Sequence, residues 1–295
     1  MRSFIEKHIG KIDRMKKLEN DHLSTCQSKG GVVGVDGSVN KLGGSEPHFV
    51  EVFQGLAKST CVGDEAIFKA DIYTPLIDDE KDEILGEEAK DDREERNRLL
   101  ANIEVEVALE SAKNHRPYAI LMDGSLIRYY IYSYELWIKL REECEKNNIL
   151  LVGVIEDIKT SIIGDKLAEL KSELKVRAYD RELLFGLLEY GEMIAIEDQV
   201  NSKHRSGYSS VFMRSSMSPS VIGMDIIDTQ KEHLEEMARL VFTLTPENSR
   251  GIPLWLDLVD KEVKISDSLM KGLIERYMDR DIYERFFVSE RSKRD

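Results

Sequence analysis

Phe4, Ile5, Ile9, Ile12, Met15 and Leu18 recur every three or four residues, a spacing that lays apolar side chains along one stripe of a helix. It predicts an amphipathic opening helix within residues 1–20, serving as a strut on the core or as a partner surface. The pattern then changes. Gly30-Gly31-Val32-Val33-Gly34-Val35 is a short β-branched run ending in Asp36-Gly37-Ser38, which predicts a buried strand with an acid at its exit. His48 to Leu56 fits a strand or short helix, and Ala66 to Tyr73 has a strand-like pattern. From Asp78 to Arg98 charges dominate, and the run flows into the more apolar Leu99 to Ala112, as in one long helix with a solvated start. His115-Arg116-Pro117 ends it. Tyr118-Ala119-Ile120-Leu121-Met122 then repeats the earlier plan, closing on Asp123-Gly124-Ser125. A helix from Ser133 to Lys146 and a third buried strand from Ile149 to Ile155 complete a strand-helix-strand rhythm, so the fold class is α/β.

The second half is less regular. Asp180 to Leu188, Thr229 to Phe242 and Ser266 to Tyr277 have helical patterns, Ile252 to Val259 fits a strand or turn, and Ser289 to Asp295 a frayed end. Gln199 to Gly223 is rich in Ser and Gly and lacks any Asp or Glu. It reads as a mobile loop in which Lys203, Arg205 and Arg214 could meet phosphate while Tyr208 and Phe212 stack on bases, or as a polar surface loop anchored by those aromatics. The 295 residues fit one domain with helical appendages. Within it, residues 1–20 form the opening helix, 30–160 the first part of the core with its strand-end acids, and 161–295 a helical and closing part.

Asp36 and Asp123 carry the chemistry. Each ends an apolar strand and precedes a glycine, which lets a ligand approach the backbone. A single Asp-Gly can be an Asx turn. As a pair, acids removed from water need cations, hydrogen bonds or solvent, and oxygen ligands suit Mg²⁺ and Mn²⁺. Two such ions about 4 Å apart can stabilise both the attacking and the leaving oxygen of a phosphodiester.

Gly34-Val35-Asp36-Gly37-Ser38, Leu121-Met122-Asp123-Gly124-Ser125-Leu126 and Leu151-Val152-Gly153-Val154 resemble the NurA nucleases in order and spacing. So do Tyr179-Asp180-Arg181-Glu182-Leu183-Leu184 and the stretch from Gly251-Ile252-Pro253 to Asp260-Lys261. The resemblance implies an RNase H-like central mixed sheet flanked by helices and a homodimer. It also implies Mn²⁺- or Mg²⁺-dependent exo- and endonuclease activity on DNA, beside a HerA-type hexameric ATPase in end resection. Carried over by position, Asp36 and Asp123 match the strand-end metal ligands. The third acid comes from the helix before the second strand, where Glu104, Glu106 and Glu110 stand; spacing to Asp123 favours Glu106, then Glu110 one turn on. The closing motif of the family often has a tyrosine and, eight residues later, a histidine. Here those positions hold Ile252 and Asp260, which removes a proton donor and keeps a possible metal ligand. Lys159 resembles a family lysine that could meet the scissile phosphate.

Charge complicates this picture. The net charge of −14 opposes DNA binding, which rests on cations displacing counterions from phosphates. Either basic residues line a channel, or a partner delivers the DNA. A non-catalytic adaptor of a DNA-translocating ATPase, or an RNase H-like nuclease with another nucleic-acid substrate, would also fit such a chain. No apolar stretch approaches the roughly 18 residues of a membrane span and residues 1–20 have no signal-peptide core, so a cytoplasmic location is expected. Cys26, Cys61 and Cys144 lack the spacing of a zinc site or disulfide framework.

Overall fold

The computed structural model describes residues 1–43, 47–75, 92–170 and 178–283. Its strands are β1 (Ile12–Arg14), β2 (Val32–Gly43), β3 (Phe49–Ser59), β4 (Ile67–Tyr73), β5 (Ala119–Asp123), β6 (Leu150–Ile155), β7 (Glu192–Ala195), β8 (Tyr208–Met213) and β9 (Ile222–Ile227). They form one nine-stranded sheet in the order β1-β7-β8-β9-β6-β5-β2-β3-β4. β2, β5 and β6 are parallel neighbours, and all other pairings are antiparallel. A meander of β2, β3 and β4, a long helix, then β5 and β6 laid beside β2 is the RNase H-like arrangement, extended here by four further strands.

The near-continuous apolar runs of β2, β5 and β6 have a simple cause: both faces of the sheet are covered. Val33, Val35, Ile120, Met122 and Leu151 pack on one face against Val105, Ala108 and Ala112 of helix α3 (Asp92–Asn114) and Trp137 and Leu140 of α5 (Tyr134–Asn147). Their alternate neighbours Val32, Leu121, Leu150 and Val152 point the other way, onto Met237 and Val241 of α8 (Leu234–Leu244) and Leu256 of α9 (Leu254–Val263). Strands alternate their side chains between faces, so two cores need two apolar sets. Gly34 marks the closest approach of α9, since a Cβ there would lie 3.0 Å from the Trp255 ring.

Several expectations are corrected. The opening helix α1 covers only Arg2–His8, and the chain continues as β1, paired with β7. Gly10 is the reason: a Cβ there would collide with the Ala195 carbonyl, so the backbones meet where a helix would have run on. Gln199 to Gly223 is not one loop: between two irregular segments it contributes β8, every residue of which is buried, and it ends in the first residues of β9. Its missing acids thus reflect an interior strand. Ile252 to Val259 enters α9, whose Leu256, Val259 and Val263 share one buried stripe. The run at 78–91 and the end at 289–295 lie outside the described residues.

The Tyr179-Asp180-Arg181 segment is explained by packing. Asp180 is fully buried and accepts hydrogen bonds from Thr160 Oγ1 (2.6 Å) and from the backbone N–H groups of Ile162 (2.9 Å) and Ile163 (2.8 Å). These open α6 (Ile162–Leu170), so a residue distant in sequence caps that helix and ties it to α7 (Asp180–Leu184). We predict that Asp180→Ala, which strands two buried N–H donors, costs about 2–4 kcal/mol. Urea unfolding should show a lower midpoint at unchanged slope, and an unchanged midpoint would reject this role.

Candidate active site

The carboxyl-terminal ends of β5 and β6, and β2 where its pairing with β5 stops, open on a cleft of about 550 Å³, lined by Asp36, Glu104, Asp123, Glu156, Lys159 and Asp225 among others. β2 itself runs on to Gly43 beside β3, so Asp36 stands within its strand and not, as expected, at the strand's exit. Such sheets bind ligands beyond their carboxyl edges. Val35 and Met122 are register partners in the parallel pair, so Asp36 and Asp123 follow side by side on adjacent strands, roughly 5 Å apart in backbone. By alternation both belong to the face that carries α9. Ser38, two residues beyond Asp36, donates to the Val263 carbonyl of that helix at 2.9 Å.

Glu104 arrives from the opposite face. A Cβ at Gly37 would lie 2.5 Å from Glu104 Oε1 and 2.8 Å from Leu100 Cδ1, so this glycine is the gap through which the α3 acid reaches the edge of β2. Glu104 is 2% exposed and receives a close hydrogen bond from Arg128 Nη2. Arg128 also donates to the Tyr129 hydroxyl at 3.1 Å, and that hydroxyl donates to the Asp123 carbonyl at 3.1 Å. The turn after β5 is thereby fastened to the long helix. Gly124, at φ 110°, makes this turn possible.

Like charge dominates the electrostatics. Burial first, then the neighbouring Asp123, Glu104 and Asp260, push Asp36 up to about 8; its one offsetting contact among these causes is the Gly37 N–H at 2.8 Å. Asp123 rises to about 6 through burial, countered first by Arg250. Glu104 also rises to about 6 through burial, with Arg128 opposing. Negative charge is thus least compensated at Asp36.

The other residues singled out from sequence divide clearly. Glu106 and Glu110 stand away from Asp36 and Asp123, paired with Lys69 of β4 at 3.4 and 3.2 Å. One helical turn carries both onto the β4 side, whereas Glu104 faces β2. Asp260, on α9, pairs with Lys264 at 2.6 Å and acts on both Asp36 and Asp123. Lys159 stands exposed on the cleft wall. Lys203 is buried, its ammonium bonded to both oxygens of Asp225 at 2.8 and 2.7 Å, so it is no free phosphate contact. Arg214 is spent on the carbonyls of Leu188, Met217 and Ser218. Arg205 is exposed but is absent from the cleft lining. Tyr208 and Phe212 are core residues of β8.

Sequence reasoning passed over Arg128, Arg250 and Asp225. Arg250 bonds Glu156 (2.8 Å) and Asp257 (2.8 and 3.0 Å) at the cleft edge. Asp225, fully buried, accepts from Lys203, from Ser210 (2.7 Å) and from Ser125 (2.6 Å), and so anchors the residue that follows Gly124. An acid inside the apolar run Ile222–Ile227 was the available signal. All donors offered by Asp36, Asp123, Glu104 and Asp260 are carboxylate oxygens, the set that hard divalent cations take. Among the described residues no three such side chains close on a single point, Glu104 being turned toward Arg128.

No helix of the described residues is long and apolar enough to cross a membrane. No curated protein matches the chain. Among solved structures it is similar to endonuclease V of Bacillus subtilis (14% identity, 90% of this chain and 88% of that one, TM-score 0.44). It is also similar to the catalytic domain of human endonuclease V (13%, 92% and 94%, 0.41) and to Ciona intestinalis endonuclease V in complex with inosine-containing DNA (13%, 87% and 100%, 0.42). At this level of similarity these structures lend no weight to a reading of the site. The sequence itself does: the NurA domain profile matches residues 30–265, from the approach to β2 through the end of α9. With about four-fifths of its length inside that match, the chain belongs to the NurA family of nucleases.

Proposed function

We propose that the protein is a divalent-metal-dependent DNA nuclease in which Asp36 and Asp123 hold Mn²⁺ or Mg²⁺, with Glu104 as the third acid and Asp260 beside them. The observation that carries this reading is Asp36, a buried carboxyl surrounded by three other acids and pushed up to about 8. An uncompensated cluster of this kind is costly unless a cation joins it. Glu104 replaces the Glu106 expected from spacing because Glu104 reaches the cleft and Glu106 pairs with Lys69. When bound, the cation would supply a nucleophilic water at neutral pH and stabilise charge on the phosphate oxygens.

The chain's own groups set the geometry around that chemistry. Arg128 holds Glu104, Tyr129 fixes the backbone of Asp123, and Asp225 holds Ser125. Lys159 stands on the cleft wall, where its ammonium can meet a phosphate as a point charge. Ile252, a buried hydrocarbon side chain where the family often has a tyrosine, supplies no hydroxyl. Protonation of the leaving oxygen falls to solvent or to an acid of the cluster.

We assign the substrate as DNA ends and single-stranded DNA, and the context as end resection by a homodimer with a HerA-type ATPase. The net charge of −14 supports a partner that brings DNA to the cleft, since a ring gripping DNA raises its effective concentration there without new contacts.

Asp36→Asn and Asp123→Asn should each lower Mn²⁺-dependent cleavage of single-stranded DNA by on the order of 10²–10³-fold while leaving the circular dichroism spectrum unchanged. Cleavage near the wild-type rate by both folded variants would reject the assignment.

The raised carboxyl of Asp36 also fixes a pH dependence. Without metal the folded protein keeps this proton from about pH 4 to about pH 8 while the unfolded chain has released it. The folded state therefore binds more protons, and stability present below pH 4 is lost as pH rises towards 8. A divalent cation replaces that proton, so the rise in Tm on adding MnCl2 should be larger at pH 8 than at pH 5.5 and should shrink in Asp36→Asn. A shift that is independent of pH would contradict the cation site.

A further inference from the structure

The cleft has two unlike halves. Asp36, Glu104 and Asp123 line one; Ile127, Ile155, Ile158, Ile162, Ile196 and Phe212 line the other. Ile158, Ile162, Ile196 and Phe212 are buried in the core beneath this half and Ile127 and Ile155 are partly exposed above them, so the half is a packed apolar floor with a small open face. Cutting a phosphodiester requires nothing apolar, and such a floor beside a carboxylate cluster suits a ligand that brings an apolar face of its own. In a nucleic acid the large apolar surfaces are the faces of the bases, which become available only when a base leaves its stack. The volume of about 550 Å³ lies in the range of small-molecule pockets, roughly 300–1,000 Å³, and so suits one nucleotide.

We propose that the apolar half of this cleft holds one unstacked nucleobase of the strand whose phosphate lies at the acids. The inference rests on the nuclease reading and deepens it, because it makes an unpaired nucleotide a condition of productive binding. The polar groups on the same wall also limit what is read. Lys203, Ser210 and Asp225 bond one another, so both oxygens of Asp225, the Ser210 hydroxyl and two of the three Lys203 donors are engaged within the protein. The base is therefore gripped by its faces rather than its edges, and all four bases are accepted with little preference.

The test uses the wild-type protein with ¹³C-labelled isoleucine δ1 methyl groups, in EDTA. It is titrated with deoxyadenosine, which has no phosphate for the acids to repel, and separately with 2-deoxyribose. Deoxyadenosine should move the methyl signals of Ile155, Ile158 and Ile196 by ring current and leave those of Ile120 and Ile226 in place. Deoxyribose should bind at least tenfold more weakly. Equal responses to the two ligands, or cleft methyls that do not move, would overturn the inference. Cleavage of a single-stranded oligonucleotide in Mn²⁺ by the same preparation is read separately. Base binding without cleavage leaves this pocket standing and sinks the nuclease reading; cleavage without base binding does the reverse.

Discussion

The repulsion among carboxylates at one end of the sheet is the constraint around which the rest of the molecule is arranged. Two parallel strands deliver Asp36 and Asp123 to adjacent positions, α3 brings Glu104 through the gap at Gly37, and α9 adds Asp260. Bringing such groups together out of water costs on the order of several kcal/mol. The structure relieves this cost unevenly. Glu104 has Arg128, and Asp123 has Arg250 and Arg128 in its field, while Asp36 is left to a single backbone N–H. In the proposed reading a divalent cation, which takes oxygen donors, supplies the compensation that Asp36 lacks.

Two other buried carboxylates, one in the cleft wall and one away from it, are matched. Asp225 has three side-chain donors, Lys203, Ser125 and Ser210, and Asp180 three donors from the start of α6. These satisfied carboxylates hold elements together, and their hydrogen-bond partners distinguish them from Asp36. Burial alone would not, since Asp225 and Asp180 are more deeply buried than Asp36. The number of donors per carboxylate is the better guide to function.

The strands that matter most were legible in the sequence because both of their faces are covered. Val32–Val35 and Ala119–Met122 are apolar without interruption, so an acid at the end of each stands out, and Asp36 and Asp123 emerge by number. Which glutamate of the long helix reaches the cleft did not. Glu104, Glu106 and Glu110 lie on one helix with similar local surroundings, and only the missing Cβ of Gly37, on another element, singles out Glu104. The pairing of Lys203 with Asp225 escaped notice for a related reason: it joins β9 to the turn before β8, a contact with no local signature. The stretch from Gln199 misled because Ser and Gly usually mark loops, whereas here Ser209 and Ser210 are interior strand residues bonded to Asp228 and Asp225.

Anomalous scattering from crystals of the wild-type protein soaked in MnCl2 tests the cation site most directly. The account predicts a peak within ligand distance, roughly 2.0–2.6 Å, of carboxylate oxygens from both Asp36 and Asp123. Manganese bound elsewhere on the molecule with no peak between these two acids would contradict it.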